Sequence, residues 1–211
     1  MLDEGKSGLA DKNEEPRGDL RLVCLNNRRI VTSAIEKFTE RYKEVSFIIR
    51  HTPDATRDFD LFISDTPPNE YSDRILVVDE DISVAMRSDN QLAEKKNLSP
   101  SDLEGERFIT MPLNSSLYRI TTLACEGAGF SPNIAIQTDD PFYVRKYVEM
   151  GLGIAFVPTN SWQGLFGEGV VLIKADGMRR RTYAYLPRSK GTKRSVELFL
   201  EVLKEVAEKE Q

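Results

Sequence analysis

The sequence predicts an α/β fold built as two lobes, and three observations carry that reading. Short apolar runs alternate with stretches of helical periodicity from residue 19 onward, and the connections between them are short. About ten strand-like runs fall into two series, each opening on strand, loop and helix, which two sheets joined by extended crossings accommodate better than one.

Residues 1–17 carry no periodicity and are rich in Gly, Asp, Glu, Asn and Lys, so they are expected to form a disordered tail or linker remnant. LRLVCL (20–25) reads as a buried strand, and Val31, Ala34, Ile35, Phe38 and Tyr42 then recur at helical spacing. SFIIR (46–50), DLFI (60–63), RILVV (74–78) and ISVAM (82–86) follow as separate short strands punctuated by TPD and DTPPNE. Ser99, Pro100 and Asp102 announce a short helix, with a capping serine, a proline at the first helical position and an acid in the first turn. RFITM (107–111) is the next strand, and it leads into a helix carrying Leu117, Ile120, Leu123 and Ala124, closed by Gly127 and Gly129 as left-handed stops. IAIQ (134–137) precedes a helix whose inward face is Val144, Tyr147 and Val148 and which ends at Gly151; GIAFVP is the strand after it. Residues 170–173 and 182–186 are two more strand candidates, and Val196, Phe199, Leu200, Leu203 and Val206 mark an amphipathic terminal helix.

Composition excludes several function classes. A formal net charge of −5 works against direct nucleic-acid binding, which needs a basic surface, and the run Arg179-Arg180-Arg181 reads as a solvated edge or turn. No apolar run approaches the roughly 18 residues of a membrane span and the first 20 residues do not form a signal peptide, so no membrane association and a cytoplasmic location are expected. Cys24 and Cys125 lie in apolar patterns and read as buried thiols, not a disulfide. His51 is the only histidine and reads as a turn residue in solvent. No metal-ligand cluster, phosphate loop or nucleophile motif is present, so neither a metal, a cofactor nor an enzyme activity is expected.

Ligands of open parallel sheets bind beyond the carboxyl ends of the strands. Those positions carry Asn26, Asn27 and Arg28 after the first strand, Ser64 after DLFI, Asn114, Ser115 and Ser116 after RFITM, Thr138 and Asp139 after IAIQ, and Val157-Pro158-Thr159 after GIAFV. Short hydroxyl and amide side chains beside the free N–H groups of helix starts suit a small organic anion, and Arg28 adds a bidentate partner. Asn, Ser, Thr and Asp also cap helices and build turns wherever they occur, and for any one of these residues taken singly that role comes first.

GLGIAFVP (151–158) resembles the glycine-flanked helix-to-strand passage near the end of the effector domains of LysR-type transcriptional regulators. GDLRL (18–22), Phe38 with Tyr42 and Val45, FDLFI (59–63), ILVVDEDISVAMRSDNQLA (75–93) and LSPSDLEGERFI (98–109) resemble other segments of that domain, in the same order, over about residues 18–205. The resemblance implies the fold of type-two periplasmic binding proteins, with lobe I from residues 18–86 plus 188–211 and lobe II from residues 87–187. It implies a small-molecule effector held between the lobes by Asn26, Asn27, Asn114, Ser115, Ser116, Thr138 and Asp139. It implies a homodimer or tetramer, with the helix around 31–42 meeting the partner's 141–150 or 118–127 helix. DNA would be bound only through an N-terminal winged helix-turn-helix, which these 211 residues do not include. HTPDATRDFD (51–60) stands where members of the family place a helix. A transporter's solute-binding protein, and an enzyme acting on a small carboxylate, are the alternatives on the same fold.

Overall fold

The computed structural model describes residues 15–52, 58–188 and 191–209. Most of the proposed tail and the middle of HTPDATRDFD lie outside the described residues. The chain divides into two compact units, Met1–Val78 with Thr182–Gln211, and Asp79–Arg181.

In the first unit, β1 (Gly18–Cys24) lies between two parallel neighbours, β2 (Val45–Arg50) and β3 (Leu61–Ser64). Residues 183–185 of β9 (Val170–Leu186) add antiparallel to β3. Helices α1 (Arg28–Arg41) and α5 (Arg194–Lys209) supply the apolar cover, because their buried stripes recur at helical spacing: Ile30, Val31, Ala34 and Phe38 on one, and Val196, Phe199, Leu200, Leu203 and Val206 on the other. They pack with Leu20, Leu22 and Ile63, while Val23, Phe59, Phe62 and Tyr185 form a smaller aromatic cluster; the alternation along β1 sends Val23 to a different cluster from Leu22 and Cys24. Buried Asp60 accepts the Arg21 backbone N–H and the Lys193 ammonium, both at 2.9 Å, which anchors the approach to α5.

In the second unit, β6 (Arg107–Thr110) and β7 (Asn133–Gln137) are parallel, and Ile154, entering β8 (Ala155–Pro158), forms a parallel bridge with Phe108. Residues 82–85 of β4 (Asp73–Arg87) pair antiparallel with β8, and β5 (Asn97–Leu98) pairs with Lys174 and Ala175 of β9. Each of β6, β7 and β8 is followed by a helix: α2 (Ser116–Gly127), α3 (Pro141–Glu149) and the single turn α4 (Thr159–Trp162).

Four expectations need correction. The pairs of short strands at 74–78 and 82–86, and at 170–173 and 182–186, are each one long strand, β4 and β9, because the charged residues that look like turns between them are paired across the ladder. Ser99–Asp102 opens only a 3-10 turn, Pro100–Leu103, although its capping box is complete. Gly127 sits within α2, and Gly129 (φ 91°) alone provides the left-handed stop. Arg180 is buried while Arg179 and Arg181 are exposed, so the arginine run is solvated on one side only.

The two glycines before β8 have different reasons. Gly151 ends α3 with φ 74°, whereas a Cβ on Gly153 would lie 2.5 Å from the Arg107 carbonyl oxygen, where β6 and the start of β8 meet. That neighbour is backbone already bonded to the Ile154 N–H at 2.8 Å, so it cannot yield. Gly153→Ala is therefore expected to cost about 1–3 kcal/mol, read as a lowered midpoint in urea unfolding.

Candidate functional site

Because β1, β2 and β3 are parallel, their carboxyl ends open on one edge of the first unit and bring Asn26–Arg28, His51 and Ser64–Asp65 together. The Asn26 side-chain oxygen accepts the Asp65 N–H at 3.1 Å, and the Cys24 thiol donates to the Asn26 carbonyl at 3.3 Å. His51 Nδ1 lies 2.8 Å from the Cys24 carbonyl; a carbonyl only accepts, so this nitrogen carries a proton and the tautomer is fixed. Asn27 takes the left-handed conformation (φ 53°, ψ 39°) that asparagine tolerates, and its buried side chain accepts the Thr182 hydroxyl at 2.6 Å. Ser64 is also buried, its hydroxyl closing a turn by accepting the Thr66 N–H at 3.0 Å. Arg28 is exposed in the first turn of α1. Burial pushes the Cys24 thiol up to about 12 against the pull of the nearby Arg28 charge, so Cys24 stays protonated and unreactive.

The second unit repeats the arrangement. Parallel β6, β7 and the chain entering β8 bring the loops 111–116, 138–140 and 158–161 to one edge. Ser115 caps α2 by accepting the Tyr118 N–H at 3.0 Å, and Ser116 begins the helix, leaving first-turn N–H groups without intrahelical acceptors. Asn114 is exposed. The Thr138 N–H donates to the Thr110 carbonyl at 3.1 Å, which holds the β6 and β7 exits side by side. Asp140 caps α3 through the Phe142 N–H at 2.8 Å, and Asp139 stands exposed before it. Thr110 is 3% exposed, and its hydroxyl has no hydrogen-bond partner among the described residues.

The sequence-derived residues thus form two groups, Asn26, Asn27, Arg28 and Ser64 in the first unit and Asn114, Ser115, Ser116, Thr138 and Asp139 in the second. Asn27 and Ser64 turn inward to hold the fold; Arg28, Asn114 and Asp139 face outward. His51 stands exposed at the β2 exit, as the sequence predicts, whereas sequence reasoning missed Thr110 and a buried cluster behind the β8 exit. There Glu80 Oε1 accepts Arg180 Nη2 at 2.8 Å and the Ser161 hydroxyl at 2.7 Å, and Oε2 accepts the Ser161 N–H at 2.9 Å. Burial pushes the Glu80 carboxyl up, but the Arg180 charge and these hydrogen bonds outweigh it and hold the group below the ordinary carboxylate range. The signal for this cluster was the match between Asp79-Glu80-Asp81 and Arg179-Arg180-Arg181. Among the described residues no group of three or more His, Cys, Asp or Glu is placed to hold a metal ion, and no helix is long and apolar enough to cross a membrane.

Strand-end loops of this kind place polar groups where a small molecule can be held, so the arrangement suits binding. Comparison with known proteins agrees. GltC of Bacillus subtilis (strain 168), a transcriptional dual regulator, is 24% identical over 173 residues, covering 76% of this chain and 57% of GltC. The chain spans a little over half the length of GltC and of two other curated relatives it matches, all of them transcriptional regulators. The Synechocystis PCC6803 CcmR regulatory domain, solved in complex with 2-PG, superposes with a TM-score of 0.79 at 20% identity, covering 90% of this chain and 98% of that one. The effector-binding domain of QuiR, solved with shikimate, superposes with a TM-score of 0.75 at 17% identity, covering 92% and 99%. The model of the LysR substrate binding domain family matches residues 13–208, and the chain belongs to that family.

Proposed function

We propose that this chain is the effector-sensing part of a cytoplasmic transcriptional regulator, that its strand-end loops take up a small organic anion, and that it acts without catalysis. The observation that carries the reading is the convergence, in each unit, of parallel strand ends bearing short polar side chains, reinforced in the second unit by the start of α2. The two units correspond to the regulatory lobes. Shikimate, the ligand of QuiR, is a small carboxylate, and an acid of that size suits the first-turn N–H groups of α2 and the Ser115 and Thr138 hydroxyls of the second unit. The regulator reading is favoured over a transporter's solute-binding protein because the curated relatives are transcriptional regulators. In the whole protein, effector binding biases one arrangement of a homodimer or tetramer, and a helix-turn-helix elsewhere in that protein contacts DNA.

A thermal-shift screen of small carboxylates, phosphates, sugars and amino acids identifies the effector as the compound that raises the unfolding midpoint with concentration. The double variant Ser115→Ala, Thr138→Val then weakens its binding by about ten-fold or more in calorimetry, as the loss of two hydrogen bonds requires, while the variant stays folded. Unchanged affinity in that variant would sink the assignment of these two residues.

A further inference from the structure

Two strands run from one unit into the other, and each carries three consecutive charges near the boundary, Asp79-Glu80-Asp81 on β4 and Arg179-Arg180-Arg181 on β9. All six residues belong to the second unit, and they sort by strand alternation into two layers. In the outer layer, Asp79 bonds Arg179 at 2.8 Å and Arg181 at 3.0 Å, and Asp81 bonds Arg179 at 2.9 Å and Lys174 at 2.7 Å. In the inner layer, Glu80 and Arg180 are buried against each other.

Glu80 does more than pair with Arg180. Both of its oxygens are engaged by Ser161, through the backbone N–H and the hydroxyl, and Ser161 lies in α4, the turn that leaves β8. A second tie, the Ser83 and Thr159 hydroxyls 2.7 Å apart, fastens the start of the same turn to β4. Since β6, β7 and β8 run parallel, this turn stands at the same edge as the Ser115 and Thr138 loops. A buried ion pair is weak evidence for stability, because apolar residues of similar volume often serve as well; its best-attested use is to fix one register.

We infer that Glu80 is a positioning residue for effector recognition: through Ser161 it fixes the β8 exit turn, and with it the third wall of the ligand-contacting edge of the second unit. This rests on the effector-sensing reading above.

The chain carries its own reporter. Trp162, its only tryptophan, follows Ser161, is buried, and lies beneath the Arg145 guanidinium at 5.3 Å and beside the Phe166 ring at 6.2 Å. Four proteins are compared, wild type, Glu80→Gln, Ser161→Ala, and the outer-layer control Asp79→Asn. Trp162 emission and acrylamide quenching are read first, then thermal stabilisation by shikimate, citrate, benzoate and inorganic phosphate. Glu80→Gln and Ser161→Ala are expected to shift Trp162 to longer wavelength and raise its quenching alike, with Asp79→Asn close to wild type. The acid that stabilises wild type most should bind both inner-layer variants about ten-fold more weakly. Unmoved Trp162 in Glu80→Gln, or an equal effect of Asp79→Asn, overturns the inference, and so does equal stabilisation of wild type and Glu80→Gln by that acid. Should none of the four compounds stabilise wild type, the small-anion reading fails and takes the recognition role with it. The Trp162 response tells that failure from failure of the Glu80–Ser161 linkage.

Discussion

Phe38→Ala lowers the stability of the protein by about 3–5 kcal/mol, the range for removing a fully buried aromatic ring. Phe38 is 0% exposed and joins α1 to the next element, β2, and to α5 at the far end of the chain. From α1 its ring meets Tyr42 at a centroid distance of 4.7 Å, Phe47 of β2 at 5.7 Å and Phe199 of α5 at 5.5 Å. Phe47 and Phe199 also meet each other at 5.4 Å, so the ring closes a triangle whose other corners are held by a strand and a helix. Such a site collapses poorly, and the cavity term adds to the lost transfer energy. Against a typical total of about 5–15 kcal/mol, the loss exposes the first unit to local unfolding. Urea unfolding followed by far-UV circular dichroism measures it, with amide exchange across β1 and β2 rising in parallel. Phe38→Leu recovers most of the loss, because a smaller apolar side chain still fills much of the space. A Phe38→Ala cost below about 1 kcal/mol would mean that α1 and α5 close onto the vacated space.

Much of this architecture was legible because it is written locally. The buried stripe of α5, the cap Ser115 and the buried run of β1 all follow from residues within a few positions of one another. β4 and β9 were not legible as continuous strands. Asp79-Glu80-Asp81, and Gly177 followed by three arginines, look like turns when each is seen alone. They become strand residues only opposite each other, about a hundred positions apart. The site shows the same limit. The pattern placed Asn27 and Ser64 at strand ends, but not that Asn27 turns inward to Thr182, 155 residues away. His51 read as a turn residue in solvent and is exposed, but its hydrogen bond was not legible, because the Cys24 carbonyl belongs to a strand 27 residues earlier that only the parallel pairing of β1 and β2 brings alongside.

The same distant pairing sets the second large effect. Arg180→Met is expected to destabilise the protein by about 3–5 kcal/mol at neutral pH, because it leaves the Glu80 carboxylate, 1% exposed, without its buried cation. The outer arginines do not substitute, since Arg179 and Arg181 are committed to Asp79 and Asp81 on the other side of the ribbon. The pH dependence separates this cause from simple loss of packing. In the wild type the Glu80 carboxyl titrates below its ordinary value of 4.5. Its contribution is therefore complete above that value and is lost only as pH falls through the lower, folded one. In Arg180→Met the cation is gone and burial dominates, so the folded value rises above 4.5. The penalty is then full above the raised value and is relieved as pH falls through it toward 4.5. The stability gap between the two proteins, measured by urea unfolding from pH 7 downward, should narrow as Glu80 takes up its proton in the variant. Adding Glu80→Gln to Arg180→Met removes the charge while keeping an acceptor for Ser161, and should recover a large share of the loss at pH 7. A gap of constant size at every pH, with no recovery in the double variant, would assign the effect to the packing of the arginine stem instead of to the buried charge.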